Sequence, residues 1–155
     1  MPSGTYSIRL FLRKKVRIMR ILIVDDDLIG RKVLEKVLSP YGQCEVAADG
    51  LEAIKAFIMA SAENHRYDLI CLDIMMPMMD GHETLRRIRQ LEEKDGVVDK
   101  NRAKVIMTTA LADRKHIMQA AVDRCSGYLI KPIEKQSLLE KMKSLGLLAD
   151  QAKTA

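Results

Sequence analysis

Cysteine is sparse in this sequence: three among 155 residues, Cys44, Cys71 and Cys125, far apart and without a C-x-x-C pair. That excludes a disulfide framework and a zinc knuckle, and leaves reduced, mostly buried thiols as the expectation. Long apolar runs are missing too, since none approaches the roughly 18–20 residues that a membrane span needs. The N-terminus shows no apolar core followed by a small-residue cleavage site, so the expected address is the cytoplasm. Repeats and low-complexity tracts are absent, and at roughly 100–200 residues per domain the chain has room for one folded domain with short extensions. What is present is the makeup of a soluble globular protein, 48% hydrophobic and 30% charged, which excludes disorder and collagen-like structure.

A net charge of +5 and a pI near 9.2 raise the question of nucleic acid. Position answers it. Residues 1–20 carry six basic side chains (Arg9, Arg13, Lys14, Lys15, Arg17, Arg20) and no acid, which leaves 20 basic against 21 acidic residues over 21–155. The body is not a basic surface. No helix-turn-helix pattern and no glycine-rich phosphate loop is found, so nucleic acid is not an expected partner. The expected organisation is a dispensable basic extension over 1–18, a domain over 19–145 and a tail over 146–155, too short for an output domain.

Within the domain, short continuous apolar runs stand at 19–24, 68–72, 104–107 and 127–130, with a weaker one at 44–47. Continuous rather than alternating apolar strands point to a sheet buried on both faces. Helical patterns lie between them at 28–39 (Ile29, Val33 and Val37 on one stripe), 49–62, 82–93 (Leu85, Ile88), 113–124 and 134–145 (Leu138, Met142). Asp49 with Glu52 three residues on reads as a capping box. Strand and helix alternate five times, which implies parallel strands, right-handed crossovers and a three-layer α/β sandwich. The charged stretch 92–102 reads as a solvated loop.

In such a sheet ligands sit beyond the carboxyl ends of the strands. The first strand ends in Asp25-Asp26, the third in Asp73, the fourth in Thr108-Thr109 and the fifth in Lys131-Pro132, at intervals of 47, 36 and 22 residues from Asp26 through Asp73 and Thr109 to Lys131. Three carboxylates on one edge repel, and one is pushed to protonate unless a cation intervenes. Mg²⁺ takes one or two carboxylates, keeps several waters and accepts a phosphate oxygen. The remaining carboxylate is then a nucleophile towards a phosphoryl group whose charge Lys131 helps to offset.

The segments MRILIVDDD, YDLICLDIMMPMMDG, VIMTTA and GYLIKP resemble, in order and register, the response-regulator receiver (CheY-like) family. The resemblance implies a five-stranded sheet in the order 2-1-3-4-5. It makes Asp73 the phosphoacceptor, Asp25 and Asp26 the acidic pair for Mg²⁺, and the Met75 carbonyl a further ligand. Thr109 and Tyr128 would be the switch residues, and Lys131 the phosphoryl-binding lysine before a cis peptide at Pro132. Gly81 also matches, and Asp27 stays with the helix cap.

The implied activity is signalling. A histidine kinase or phosphotransfer protein donates the phosphoryl group, the chain catalyses only its own phosphorylation and slow dephosphorylation, and a downstream protein docks over 113–145. A monomer or a phosphorylation-dependent dimer is expected. Two rivals are a phosphohydrolase passing through an aspartyl phosphate, which usually has an Asp where this chain has Met75, and a nucleic-acid-binding regulator using the basic arm. Met75 and Leu111 are apolar at variable positions flanking the site and predict a long-lived phosphoryl group. The methionines at 75, 76, 78 and 79 read as loop packing. His65, His82 and His116 fall on separate elements without metal-ligand spacing and read as ordinary surface or helix residues.

Overall fold

A computed structural model describes residues 17–110 and 114–149. Five strands alternate with five helices: β1 (Arg20–Val24), α1 (Leu28–Leu38), β2 (Gln43–Ala47), α2 (Gly50–Ala62), β3 (Leu69–Asp73), α3 (Gly81–Lys94), β4 (Lys104–Thr109), α4 (Arg114–Val122), β5 (Gly127–Ile130) and α5 (Lys135–Ser144). All pairings are parallel and the order is β2-β1-β3-β4-β5. The parallel three-layer sandwich expected from the pattern, with the strand order that the resemblance implied, is therefore the fold formed. Every residue of β3 is buried, as a strand covered on both faces requires.

Two clusters fill the layers. On one side Leu34 and Leu38 of α1 and Leu138 and Met142 of α5 pack on Ile21, Ile23, Leu69, Cys71 and Ile106. On the other, Phe57 of α2, Leu85 and Ile88 of α3 and Ala120 of α4 cover Leu22, Ile70, Leu72, Val105 and Met107. Alternate residues of each strand supply the two faces. Packing runs past Leu145, with Leu147 and Leu148 partly buried against the first cluster. The three cysteines are free, Cys71 buried and the other two partly so. No helix among the described residues is long and apolar enough to cross a membrane.

The helix starts follow their capping residues. Asp27 accepts from the N–H groups of Ile29 and Gly30 at the head of α1. Asp49 accepts from Glu52 N–H at 2.8 Å, and the Glu52 carboxylate reaches back to the N–H of Ala48 at 2.7 Å, one residue before the expected position. At the other end of α4, Arg124 takes a left-handed φ of 63° and Cys125 N–H bonds the Ala120 carbonyl, which stops the helix short of the expected 124.

Two expectations are corrected. Of the stripe Ile29, Val33, Val37 only Val37 packs on the core: Ile29 and Val33 are exposed, and Leu34 and Leu38 make the buried contact. Two apolar stripes share this helix, and the one nearer the acidic strand end is turned outward. Nor is the stretch from Glu92 a solvated loop from its first residue. Helix α3 runs to Lys94, and Glu92 is buried, accepting from Arg89 at 2.7 Å and from Ala103 N–H at 2.8 Å. Of the basic extension, only Arg17 and Ile18 fall within the described residues.

Candidate functional site

The carboxyl edge of the sheet gathers what the strand ends carry. Asp25 follows β1 and is fully buried, Asp26 beside it is exposed, and Asp73 closes β3 at 4% exposure. One oxygen from each lies within 4.8 Å of the others. Lys131, just beyond β5, sets its ammonium 2.8 Å from Asp25 Oδ2 and 3.5 Å from Asp73 Oδ2. The Lys131–Pro132 peptide is cis, as the resemblance implied.

Close backbone contacts hold these groups. The N–H of Asp27 donates to Asp25 Oδ1 at 2.9 Å, and the Arg31 guanidinium donates to the Asp25 carbonyl at 2.7 Å. Gly81 donates its N–H to the Ile74 carbonyl at 2.8 Å and lies so close to Asp73 that a Cβ there would come 2.3 Å from the Asp73 carbonyl oxygen. Any side chain at Gly81 displaces the backbone at Asp73 and Ile74.

The charge is unbalanced. Burial, and then the charge of Asp25, push the Asp73 carboxyl up to about 7, against which Lys131 and a backbone hydrogen bond from Met75 pull only partway down. Burial pulls the Lys131 ammonium down, but its hydrogen bond to Asp25 and the charges of Asp73 and Asp25 outweigh that and leave it raised. A single ammonium does not neutralise three carboxylates. This shortfall, with two oxygens buried and one exposed, is what a hard divalent cation with open water positions fits.

Thr109 is fully buried at the end of β4, one strand from Asp73, and its neighbour Thr108 pairs with Asp73 in register. The Thr108 hydroxyl is buried with no hydrogen-bond partner among the described residues. Tyr128 is partly buried on β5 against the core cluster. Of the four methionines expected to pack the loop, Met76 and Met79 turn inward, whereas the Met75 side chain is half exposed and Met78 is exposed. Leu111 lies outside the described residues.

The sequence profile of the response regulator receiver domain matches residues 21–143. The chain belongs to that family. As a receiver it is 30% identical over 128 residues to the chemotaxis protein CheY of Treponema pallidum, covering 81% of each chain. It is 33% identical over 132 residues to the probable histidine kinase 2 of Oryza sativa subsp. indica, matching 79% of this receiver and only 12% of that kinase. The CheY structure solved in a CheX-CheY-BeF3-Mg²⁺ complex from Borrelia burgdorferi superposes with a TM-score of 0.68 at 30% identity, over 83% of this chain and 89% of that one. The chain is thus a receiver domain of two-component signalling, a signalling module rather than a conventional enzyme.

One expectation about this receiver fails. His82 and His116 are not isolated: their rings are hydrogen-bonded, with Asp123 against the far side of His82. Thirty-four residues separate the two histidines, so local spacing carried no sign of the contact. The only trace in the sequence is the seven-residue step from His116 to Asp123, which returns to one helix face.

Proposed function

We propose that the chain accepts a phosphoryl group from the phosphohistidine of a kinase or phosphotransfer protein onto Asp73, and that it signals through a surface that changes in response. A cytoplasmic address and Mg²⁺ dependence belong to the same reading. The observation that carries it is the deficit of positive charge around a buried carboxylate at the carboxyl edge, which makes Asp73 both hard to ionise alone and open to a metal and a phosphoryl group together.

In the transfer an Asp73 oxygen attacks phosphorus, an O–P bond forms as the N–P bond of the phosphohistidine breaks, and the imidazole leaves with the bonding pair. Asp25, Asp26, Asp73 and the Met75 carbonyl are the groups that would hold Mg²⁺, which when bound neutralises charge on the phosphoryl oxygens. Lys131, already aimed between Asp25 and Asp73, supplies fixed positive charge to the incoming group. Thr109 donates its hydroxyl to a phosphoryl oxygen, and Tyr128 turns towards the space this opens, so phosphorylation shifts a population between two arrangements.

Exposed apolar side chains mark the two surfaces this function needs. Leu28, Ile29 and Val33 stand beside the acidic strand end, where a donor helix would approach. Ile117, Met118, Val122 and Ile130 lie on the α4–β5 side, within the 113–145 face proposed for the downstream protein or a second receiver. The phosphohydrolase reading loses support at Met75, whose thioether offers no acid or base.

The test is a Mg²⁺-dependent mass gain with a small phosphodonor, mapped to one residue. Asp73→Asn is expected to abolish it with the fold intact, and Asp25→Asn or Asp26→Asn to weaken Mg²⁺ binding. Equal labelling of Asp73→Asn would sink the assignment.

A further inference from the structure

His82 stands in the first turn of α3 and is 5% exposed. Its Nε2 is 3.2 Å from Nδ1 of His116 on α4. The ring planes are 9° apart and the centroids 5.4 Å apart. With nitrogens this close and centroids this far, the rings meet edge to edge and share a hydrogen bond; they do not stack face to face. Behind His82, Asp123 Oδ2 lies 3.2 Å from Nδ1, off the line of a good hydrogen bond. That carboxylate is held by Gln119 Nε2 at 3.1 Å and by Arg86, 3.3 Å away. We assign the His82 proton to Nδ1, the nitrogen that faces this carboxylate, which makes Nε2 the acceptor and His116 Nδ1–H the donor.

The position of this chain of groups gives it a consequence. His82 directly follows Gly81, the residue packed on the Asp73 carbonyl. His116 lies seven residues after Thr109, on the helix that the segment after Thr109 feeds. The contact therefore ties together the two helix starts whose preceding segments leave the strand ends at Asp73 and Thr109.

Resting on the receiver reading above, we propose that His82 and His116 are positioning residues for phosphoryl transfer: their hydrogen bond, with Asp123 behind it, holds α4 against α3 in the unphosphorylated arrangement and so sets how readily Thr109 at the end of β4 rearranges. Neither touches the reacting atoms. A buried hydrogen bond of ordinary strength, lost from one of two arrangements, shifts their ratio about two- to tenfold.

The experiment compares His116→Ala, His116→Asn and His82→Asn in the full chain, measuring the labelling rate with a small phosphodonor at saturating Mg²⁺ and, separately, the Mg²⁺ dissociation constant. His116→Asn keeps an N–H donor near the place of Nδ1. His82→Asn keeps a donor towards Asp123 but has nothing in place of Nε2. His116→Ala and His82→Asn are expected to label about two- to tenfold faster than the parent, with Mg²⁺ affinity unchanged, and His116→Asn to stay within about twofold of it. If His116→Asn behaves as His116→Ala, if none of the three differs from the parent, or if Mg²⁺ affinity moves with the rate, the positioning role is overturned while the receiver reading stands. A parent protein that does not label overturns the receiver reading, and this one with it.

Discussion

The two edges of the sheet are both crowded with charge, and they handle it in opposite ways. At the amino edge Arg17, Arg20, Arg66, Lys100, Arg102 and Lys104 line an open hollow of about 1040 Å³. Three of these cations already have anions. Arg17 meets Asp68 at 2.7 Å, Arg102 meets Asp99 at 3.3 Å, and Arg20 pairs with Glu45 while lying over the Tyr67 ring. At the carboxyl edge, three carboxylates face one ammonium. Charge alone does not mark a site; charge that the fold has left uncompensated in a buried place does, because only there does a bound cation supply what is missing.

The strongest way to test the compensated side is to remove one member of its most buried pair. Arg89 and Glu92 sit near the start of β4 with side chains 6% and 2% exposed. Arg89 also donates to the carbonyls of Ala103 and Arg124. Glu92→Ala leaves that guanidinium buried without its anion and strips the acceptor from Ala103 N–H. The expected cost is about 3–5 kcal/mol in chemical denaturation. A loss below about 1 kcal/mol would show that water replaces the carboxylate and that this edge depends little on pairing.

The uncompensated side predicts the reverse sign. With a chelator present, the Asp73 carboxyl, pushed up to about 7 by burial and Asp25, holds its proton more tightly folded than unfolded. From this group, stability is highest below the ordinary Asp range near pH 4 and falls as pH rises through about 7. Asp73→Asn removes the penalty. The metal-free variant is expected to melt above the parent at pH 8, the gap closing as pH falls towards 4, while saturating Mg²⁺ stabilises the parent more than the variant. A variant less stable than the parent at pH 8 without metal would show that the carboxylate is already well compensated.

A smaller effect concerns lifetime. Hydrolysis of an aspartyl phosphate needs a water held in line by a polar group. The Met75 side chain, half exposed two residues after Asp73, gives that water no hydrogen bond. Met75→Asn is expected to shorten the phosphoryl half-life several-fold at saturating Mg²⁺, and further in combination with Leu111→Glu. Unchanged decay in both single variants and the double variant would separate lifetime from these side chains.

How much of this contrast could be read from the chain follows from where its signals lie. Asp25, Asp26, Asp73 and Lys131 were legible because each ends an apolar run, and parallel topology sends all run ends to one edge. The outward turn of Ile29 and Val33 was not, since Leu34 and Leu38 offer a second apolar stripe and only the packing of α1 on β1 and β2 decides which is covered. Glu92 reads as solvated because an i,i+3 pair with Arg89 looks like any surface pair, and its donor at Ala103 is revealed only when β4 is placed. The contact of His82 with His116 depends on how α3 and α4 pack, which no local period encodes.

The smallest effect belongs to the end of the chain that looked most distinctive in composition. Arg17 is 72% exposed at its side chain, and its ion pair with Asp68 is of the kind worth about 0–1 kcal/mol. Asp68 keeps its place without it, since its carboxylate also accepts from Arg20 N–H at 2.8 Å and its carbonyl from Lys104 N–H at 2.9 Å. Deleting residues 1–18 therefore spares the bonds that start β1, because Arg20 and its partners remain. The truncated chain is expected to melt within a few degrees of the parent and to label at the same rate. Insolubility or failed labelling would mean that the extension contributes to the fold or the site, and that the amino edge is not closed by the pairs now seen there.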